Sequence, residues 1–157
     1  MRTKRKTISA YVIAIVVCLF CGVLSAWVNA VKMDLSAYVQ PKLSPPAWLF
    51  SIVWTILYVL MGISAARVSL SCCGERADAL FLNGIQLLVN FLWTVFFFSF
   101  SAFMLSFFWL LFLLLLVILT AVRFERCVPG AGKLQLPYIL WLCFAAYLNL
   151  SIWMLNR

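Results

Sequence analysis

Histidine is absent from this sequence, and only four carboxylates occur, Asp34, Glu75, Asp78 and Glu125. Without an imidazole there is no Ser-His-Asp or Cys-His catalysis, no histidine metal site and no histidine proton relay. Charge of either sign is scarce, at 10% of 157 residues, where a soluble domain carries about 25%. Hydrophobic residues make up 67%, and the mean hydropathy is +1.12. So little polar surface cannot coat a water-soluble globule, which excludes a cytosolic enzyme, a disordered chain and a secreted disulfide module. What remains is an integral membrane protein with one compact domain. At roughly 20 residues per spanning helix, five or six spans is the ceiling.

Two further absences narrow the class. No apolar run has a charged residue in its middle, whereas ion-coupled pumps and small multidrug exporters hold their coupling ion on an intramembrane charge. No internal repeat is visible either, which weighs against transporters built from inverted halves. The twelve Lys and Arg residues give a net charge of +8, but they cluster at the ends of apolar runs. There they set topology and meet anionic lipid headgroups, so membrane lipid is an expected partner and nucleic acid is not.

The six cysteines suggest little by spacing. Cys18 and Cys21 form a C-x-x-C inside an apolar run and read as small buried hydrophobes. Cys72 and Cys73 are adjacent in a short loop expected in the cytoplasm, where thiols stay reduced; a redox or metal-delivery role is the alternative. Cys127 and Cys143 have no evident partner, and no metal site is expected.

Five spans follow from the apolar runs, at about 8–28, 47–69, 79–100, 103–122 and 134–155, in a single domain over 1–157. The first could be a cleaved signal peptide, with Leu24-Ser25-Ala26 resembling a cleavage site. Its uncharged stretch is longer than an h-region and long enough to cross a bilayer, which favours a retained helix. The loop 29–46 carries Pro41, Pro45 and Pro46 and is expected to be stiff, with Pro45-Pro46 at a helix start where a missing N–H costs nothing. As one helix, residues 79–122 would be about 66 Å long, twice the hydrocarbon thickness, so the chain must turn near Ser99–Ala102. With the N-terminus inside, nine basic residues face the cytoplasm and three (Lys32, Lys42 and Arg157) the other side. This predicts N-terminus in and C-terminus out, and the basic N-terminal cluster suits a bacterial cell membrane.

The few neutral polar residues recur with helical spacing. Asn83, Gln86, Asn90 and Trp93 share one stripe of the third helix, which must face the bundle interior because an unpartnered amide is costly in lipid. It reads either as interhelical glue or as the polar wall of a ligand site. Ser51, Trp54 and Tyr58 form a matching stripe on the second helix, and Tyr138, Trp141, Ala145 and Asn149 one on the fifth. Trp54 is expected nearer the outer side and Trp141 nearer the cytoplasmic side, with one elongated cavity including both. Trp27, Trp48 and Trp153 fit an interfacial belt. A pocket of indole, phenol and amide without charge suits a flat, mostly apolar ligand.

These same residues carry a family resemblance. The stretch Pro45, Pro46, Trp48, Phe50, Trp54, Leu57, Tyr58, Met61 and Gly62 resembles the second-helix signature of the TspO/MBR family, the tryptophan-rich sensory proteins and translocator proteins. Gln86, Asn90, Trp93, Phe96 and Phe97 resemble its third helix. Pro137, Tyr138, Trp141, Phe144, Ala145, Tyr147, Leu148 and Asn149, with Trp153 and Asn156, resemble its fifth. The blocks stand in family order, and the resemblance covers about residues 8–156. It implies an all-α membrane bundle of five transmembrane helices, often a homodimer, with a ligand cavity under the first extramembrane loop.

By the same resemblance, the expected ligand is a porphyrin such as protoporphyrin IX, with no cofactor required. The cavity would include Trp54, Tyr58, Asn90, Trp93, Trp141, Ala145 and Leu148, with Pro45 and Pro46 shaping the lid. Sterol is a further ligand of some members, but Leu150 stands where the vertebrate sterol motif has an aromatic residue. The segment between Lys32 and Lys42 also lacks the tryptophan many relatives carry there, so lid contacts are expected to differ. The functions implied are a tetrapyrrole-binding membrane receptor or sensor with a role in ligand transport, or light-dependent porphyrin breakdown with Trp54 and Trp141 as catalytic residues. A passive transport or assembly subunit is the third reading.

Overall fold

The computed structural model describes residues 2–30 and 37–157, with the side chains of residues 2 and 3 excepted. Lys32 and Asp34, which fall in the loop 29–46, lie outside the described residues. Five helices are long and apolar enough to cross a membrane: α1 (Arg2–Asn29), α2 (Ala47–Ser69), α3 (Arg76–Thr94), α4 (Phe103–Cys127) and α5 (Leu136–Leu155). A π-helical turn, Val95–Ser99, continues α3, and a 3-10 turn, Gly132–Gln135, precedes α5. The fold is the five-helix membrane bundle that the apolar runs predict.

Three helix ends reach beyond the apolar runs. α1 extends back to Arg2, α3 starts at Arg76 rather than Ala79, and α4 continues past Val122 to Cys127. Hydropathy marks where a helix leaves hydrocarbon; backbone hydrogen bonding carries the helix on through its charged ends. α2 behaves otherwise because proline intervenes: Pro46, in extended conformation, is its N-cap, and the helix begins at Ala47. The turn expected near Ser99–Ala102 is present. Phe100 N–H donates to Val95 O, Ala102 N–H to Phe96 O, and Ser101 takes a positive φ of 51° that breaks the helix before α4.

Apolar burial gives no net drive for helices to associate in lipid, so close packing and interhelical hydrogen bonds must do it. α1 lies along α2, α3 along α4, and α4 along α5. Gly62 lets α1 and α2 touch: a Cβ there would stand 2.5 Å from the Ile15 Cα. Trp109 Nε1 donates to Val89 O at 2.9 Å, tying α4 to α3, and Asn149 Nδ2 donates to Ser106 Oγ at 3.0 Å, tying α5 to α4. α5 packs its backbone on α4 and the 3-10 turn. It reaches α2 through aromatic rings, Trp54 with Tyr138 (centroids 5.9 Å) and Phe50 with Trp141 (5.3 Å).

The end of the bundle away from the lid loop is closed. Ser64 Oγ donates to Ala131 O at 2.7 Å, and Arg67 Nη2 to Pro129 O at 2.9 Å. The Glu125 carboxylate accepts the Gly130 and Gly132 N–H groups at 2.8 and 3.0 Å. Gly132 must be glycine here, since a Cβ would collide with Ala121 O. At this same end Cys73 is disulfide-bonded to Cys127, with Cα atoms 5.3 Å apart. This corrects the expectation that Cys73 is reduced and that Cys127 has no partner, while Cys72 is a free thiol: residues 54 apart in sequence meet only because α3 and α4 are a hairpin. Cys18 is buried as expected, and Cys21, half-buried, points its thiol at Leu87 O, 3.6 Å away.

Candidate functional site

Where α2 and α5 are held apart by rings, the bundle encloses a cavity of about 740 Å³, within the usual range for small-molecule sites. One wall is an aromatic row that runs from α2 to α3. Tyr58 and Trp54 lie 5.6 Å apart by ring centroid, Trp54 and Trp93 stack at 6.2 Å and 30°, and Trp93 and Phe97 at 5.6 Å and 28°. The opposite wall comes from Ala145, Leu148 and Ile152 of α5, which share one face at helical spacing. α1 supplies Leu19, Gly22, Ser25 and Asn29, again one face at spacings of three and four. Exposed Ala26 of α1 and Ser51 and Thr55 of α2 also border the cavity, so it reaches the bundle surface between those helices.

Among the described residues, no Lys, Arg, Asp or Glu lines the cavity. Its polarity comes from hydroxyls, amides and indole. Asn29 is saturated: its Nδ2 donates to Ser25 O at 2.8 Å and to Thr94 Oγ1 at 3.0 Å, and its Oδ1 accepts the Ser99 hydroxyl at 2.8 Å. It pins the top of α1 to α3 and the π turn. Two lining side chains are buried yet unpartnered, Trp93 through Nε1 and Ser25 through Oγ. A buried donor without a partner costs about 1–3 kcal/mol.

The lid is held to the bundle through Tyr38 and Val39. Val39 N–H donates to Asn156 Oδ1 at 2.8 Å, and Asn156 Nδ2 donates to Val39 O at 3.1 Å. Tyr38 stacks edge-on against Phe103 at 4.9 Å. The loop that roofs the cavity is thus clamped to the end of α5 and the start of α4, with Gln40, Ser44 and Pro45 facing the void.

A family model described as TspO/MBR matches residues 14–154. The chain belongs to the TspO/MBR family. Relatives include protein CrtK of Rhodobacter capsulatus, 37% identical over 133 residues, which is 83% of this chain and 79% of that one. The tryptophan-rich protein TspO of Chlorobaculum tepidum is 36% identical over 121 residues, 75% of this chain and 76% of that protein. The translocator protein of Ovis aries is 31% identical over 121 residues, 75% of this chain and 72% of that protein. Family and spans together make this TspO/MBR chain an integral membrane protein.

Of the residues singled out in the sequence, Pro45, Trp54, Tyr58, Trp93, Ala145 and Leu148 line the cavity. Asn90, Trp141 and Pro46 do not. Asn90 lies fully buried behind the wall and donates through Nδ2 to the Tyr138 hydroxyl at 2.6 Å, which is interhelical glue between α3 and α5. Trp141 packs against Phe50 and Phe144, one layer outside the void. The expected difference in depth between Trp54 and Trp141 is also absent. α2 and α5 run antiparallel in a register that sets Trp54 beside Tyr138 and Phe50 beside Trp141, so the two indoles sit within about a turn of each other.

Sequence reasoning missed the α1 wall and the Asn156 clamp. The α1 face was legible in principle, since Gly22, Ser25 and Asn29 interrupt an apolar run at helical spacing. The clamp joins positions 117 apart in sequence and leaves no local signal.

Proposed function

We propose that this TspO/MBR protein is a membrane receptor or sensor that takes a flat, mostly apolar tetrapyrrole of the porphyrin type into the cavity beneath its lid. The observation that carries this reading is the void of about 740 Å³, uncharged among the described residues and walled by the Tyr58–Trp54–Trp93–Phe97 row. Planar faces suit a conjugated macrocycle. The names of the relatives, sensory and translocator proteins, support a receptor that communicates or moves its ligand. Light-driven porphyrin breakdown by a Trp54–Trp141 pair is less well served, because Trp141 is screened from the void by Phe50.

Protoporphyrin IX titrated into the purified protein in detergent should quench tryptophan fluorescence saturably at micromolar ligand. Ala145→Phe, which fills the void, should abolish the saturable component while leaving the helical signal intact. Linear, non-saturating quenching in the parent protein, or identical curves for both proteins, would remove this reading.

A further inference from the structure

The disulfide lies at an end of the bundle that the charge asymmetry, nine basic residues against three, expects in the cytoplasm. Disulfides that form in that reducing compartment are usually transient. The bond is not the sole tie at this end. Arg67 to Pro129, Ser64 to Ala131, and Glu125 to Gly130 and Gly132 already close the same end. The pair also lies at the surface: Cys73 and Cys127 are only half-buried, and their neighbours Cys72, Gly74, Glu75 and Arg126 are exposed.

We infer that Cys73 and Cys127 form a reversible thiol-modification site whose co-reactant is a low-molecular-weight disulfide. In the forward direction the Cys73 thiolate attacks one sulfur of that disulfide, forming a mixed disulfide and releasing one small thiolate, which takes up a proton. The Cys127 thiolate then attacks the Cys73 sulfur; the Cys73–Cys127 bond forms, the mixed disulfide breaks, and the second small thiol leaves. Two protein thiols are oxidised and one small disulfide is reduced to two thiols. The product staples the α2–α3 loop to the end of α4. α2 and α3 carry Trp54 and Trp93 from that staple to the cavity, so the reaction alters the stiffness of the frame on which the aromatic row is mounted. Cys72, free and exposed, sits beside the pair and takes no part.

The test uses the full chain in the membranes of the cells that make it. Thiols are trapped with N-ethylmaleimide, the protein is reduced, and newly released thiols are tagged with a maleimide polymer that shifts the band on a gel. Glutathione and its disulfide, at varied ratio, should interconvert a form with two taggable thiols and a form with none. Cys73→Ser and Cys127→Ser should each abolish the conversion, and Cys72→Ser should leave it unchanged. In detergent the oxidised form should melt higher by about 5–10 °C, a difference that vanishes in Cys73→Ser. A pair that stays oxidised in every glutathione ratio is a permanent structural bond, and that result overturns the inference. Loss of conversion in Cys72→Ser, or no oxidised form at any ratio, overturns it equally.

Discussion

The two ends of this bundle solve opposite packing problems with the same helices. Away from the lid, small residues bring backbones together: Gly62 against Ile15, Gly132 against Ala121 and Glu125. Side chains then tie loop to helix, through Ser64, Arg67, Glu125 and the Cys73–Cys127 bond. Under the lid, large rings keep α2 and α5 apart, and the space is left as a cavity. Rigidity at one end allows a hollow at the other. In lipid, a void between helices has no hydrophobic penalty to close it, so a frame anchored elsewhere can hold it open.

Substitutions of opposite sense should separate the two regions. The largest effect is expected from Gly62→Leu, which drives a side chain into the α1 backbone. Overpacking of this kind costs about 3 kcal/mol, so circular dichroism should show a melting point many degrees lower or no folded protein. A melting point within 2 °C of the parent, read as roughly no change, would mean that α1 and α2 are free to separate. Next comes Ala145→Leu at the hollow end. The added methyl groups enter the void rather than a packed seam, so porphyrin affinity should fall about tenfold, equivalent to about 1.4 kcal/mol, with the melting point unchanged or raised.

Asn90→Leu sharpens the boundary between the regions. It strands the buried Tyr138 hydroxyl and should cost about 1 kcal/mol, visible as a melting point a few degrees lower. Because Asn90 lies behind the wall, porphyrin affinity should stay within about twofold, or about 0.4 kcal/mol; a larger loss would mean that the amide reaches the ligand. Asn156→Ala is expected to be the mildest. It removes the two hydrogen bonds to Val39, leaving stability nearly unchanged while ligand dissociation measured by stopped-flow quenching quickens several-fold.

The sequence made much of the framework readable because the relevant signals are local. The apolar runs located all five spans, Pro45-Pro46 placed the start of α2, and the weak dip at Ser99–Ala102 marked a turn that a bilayer's thickness requires. The stripe of Asn83, Gln86, Asn90 and Trp93 was read correctly as inward-facing: all four are buried. Its two readings divided along the helix. Asn90 serves as glue and Trp93, one turn on, faces the void, because the cavity occupies only one end of the stripe. The helix ends beyond the hydrocarbon were not readable from hydropathy, since charge ends a run without ending a helix.

By itself, then, the chain's composition and periodicity determined a membrane solvent, the number of crossings and the inward faces. Each follows from water, lipid and the 3.6-residue repeat acting on neighbouring residues. Only the tertiary structure decided that Trp54 borders the cavity and Trp141 does not, that Asn156 clamps Val39, and that Cys73 meets Cys127. Those outcomes depend on the register and separation of helices distant in sequence. In lipid, that register is set by where small and large side chains meet across an interface, and no single stretch of sequence contains both sides of it.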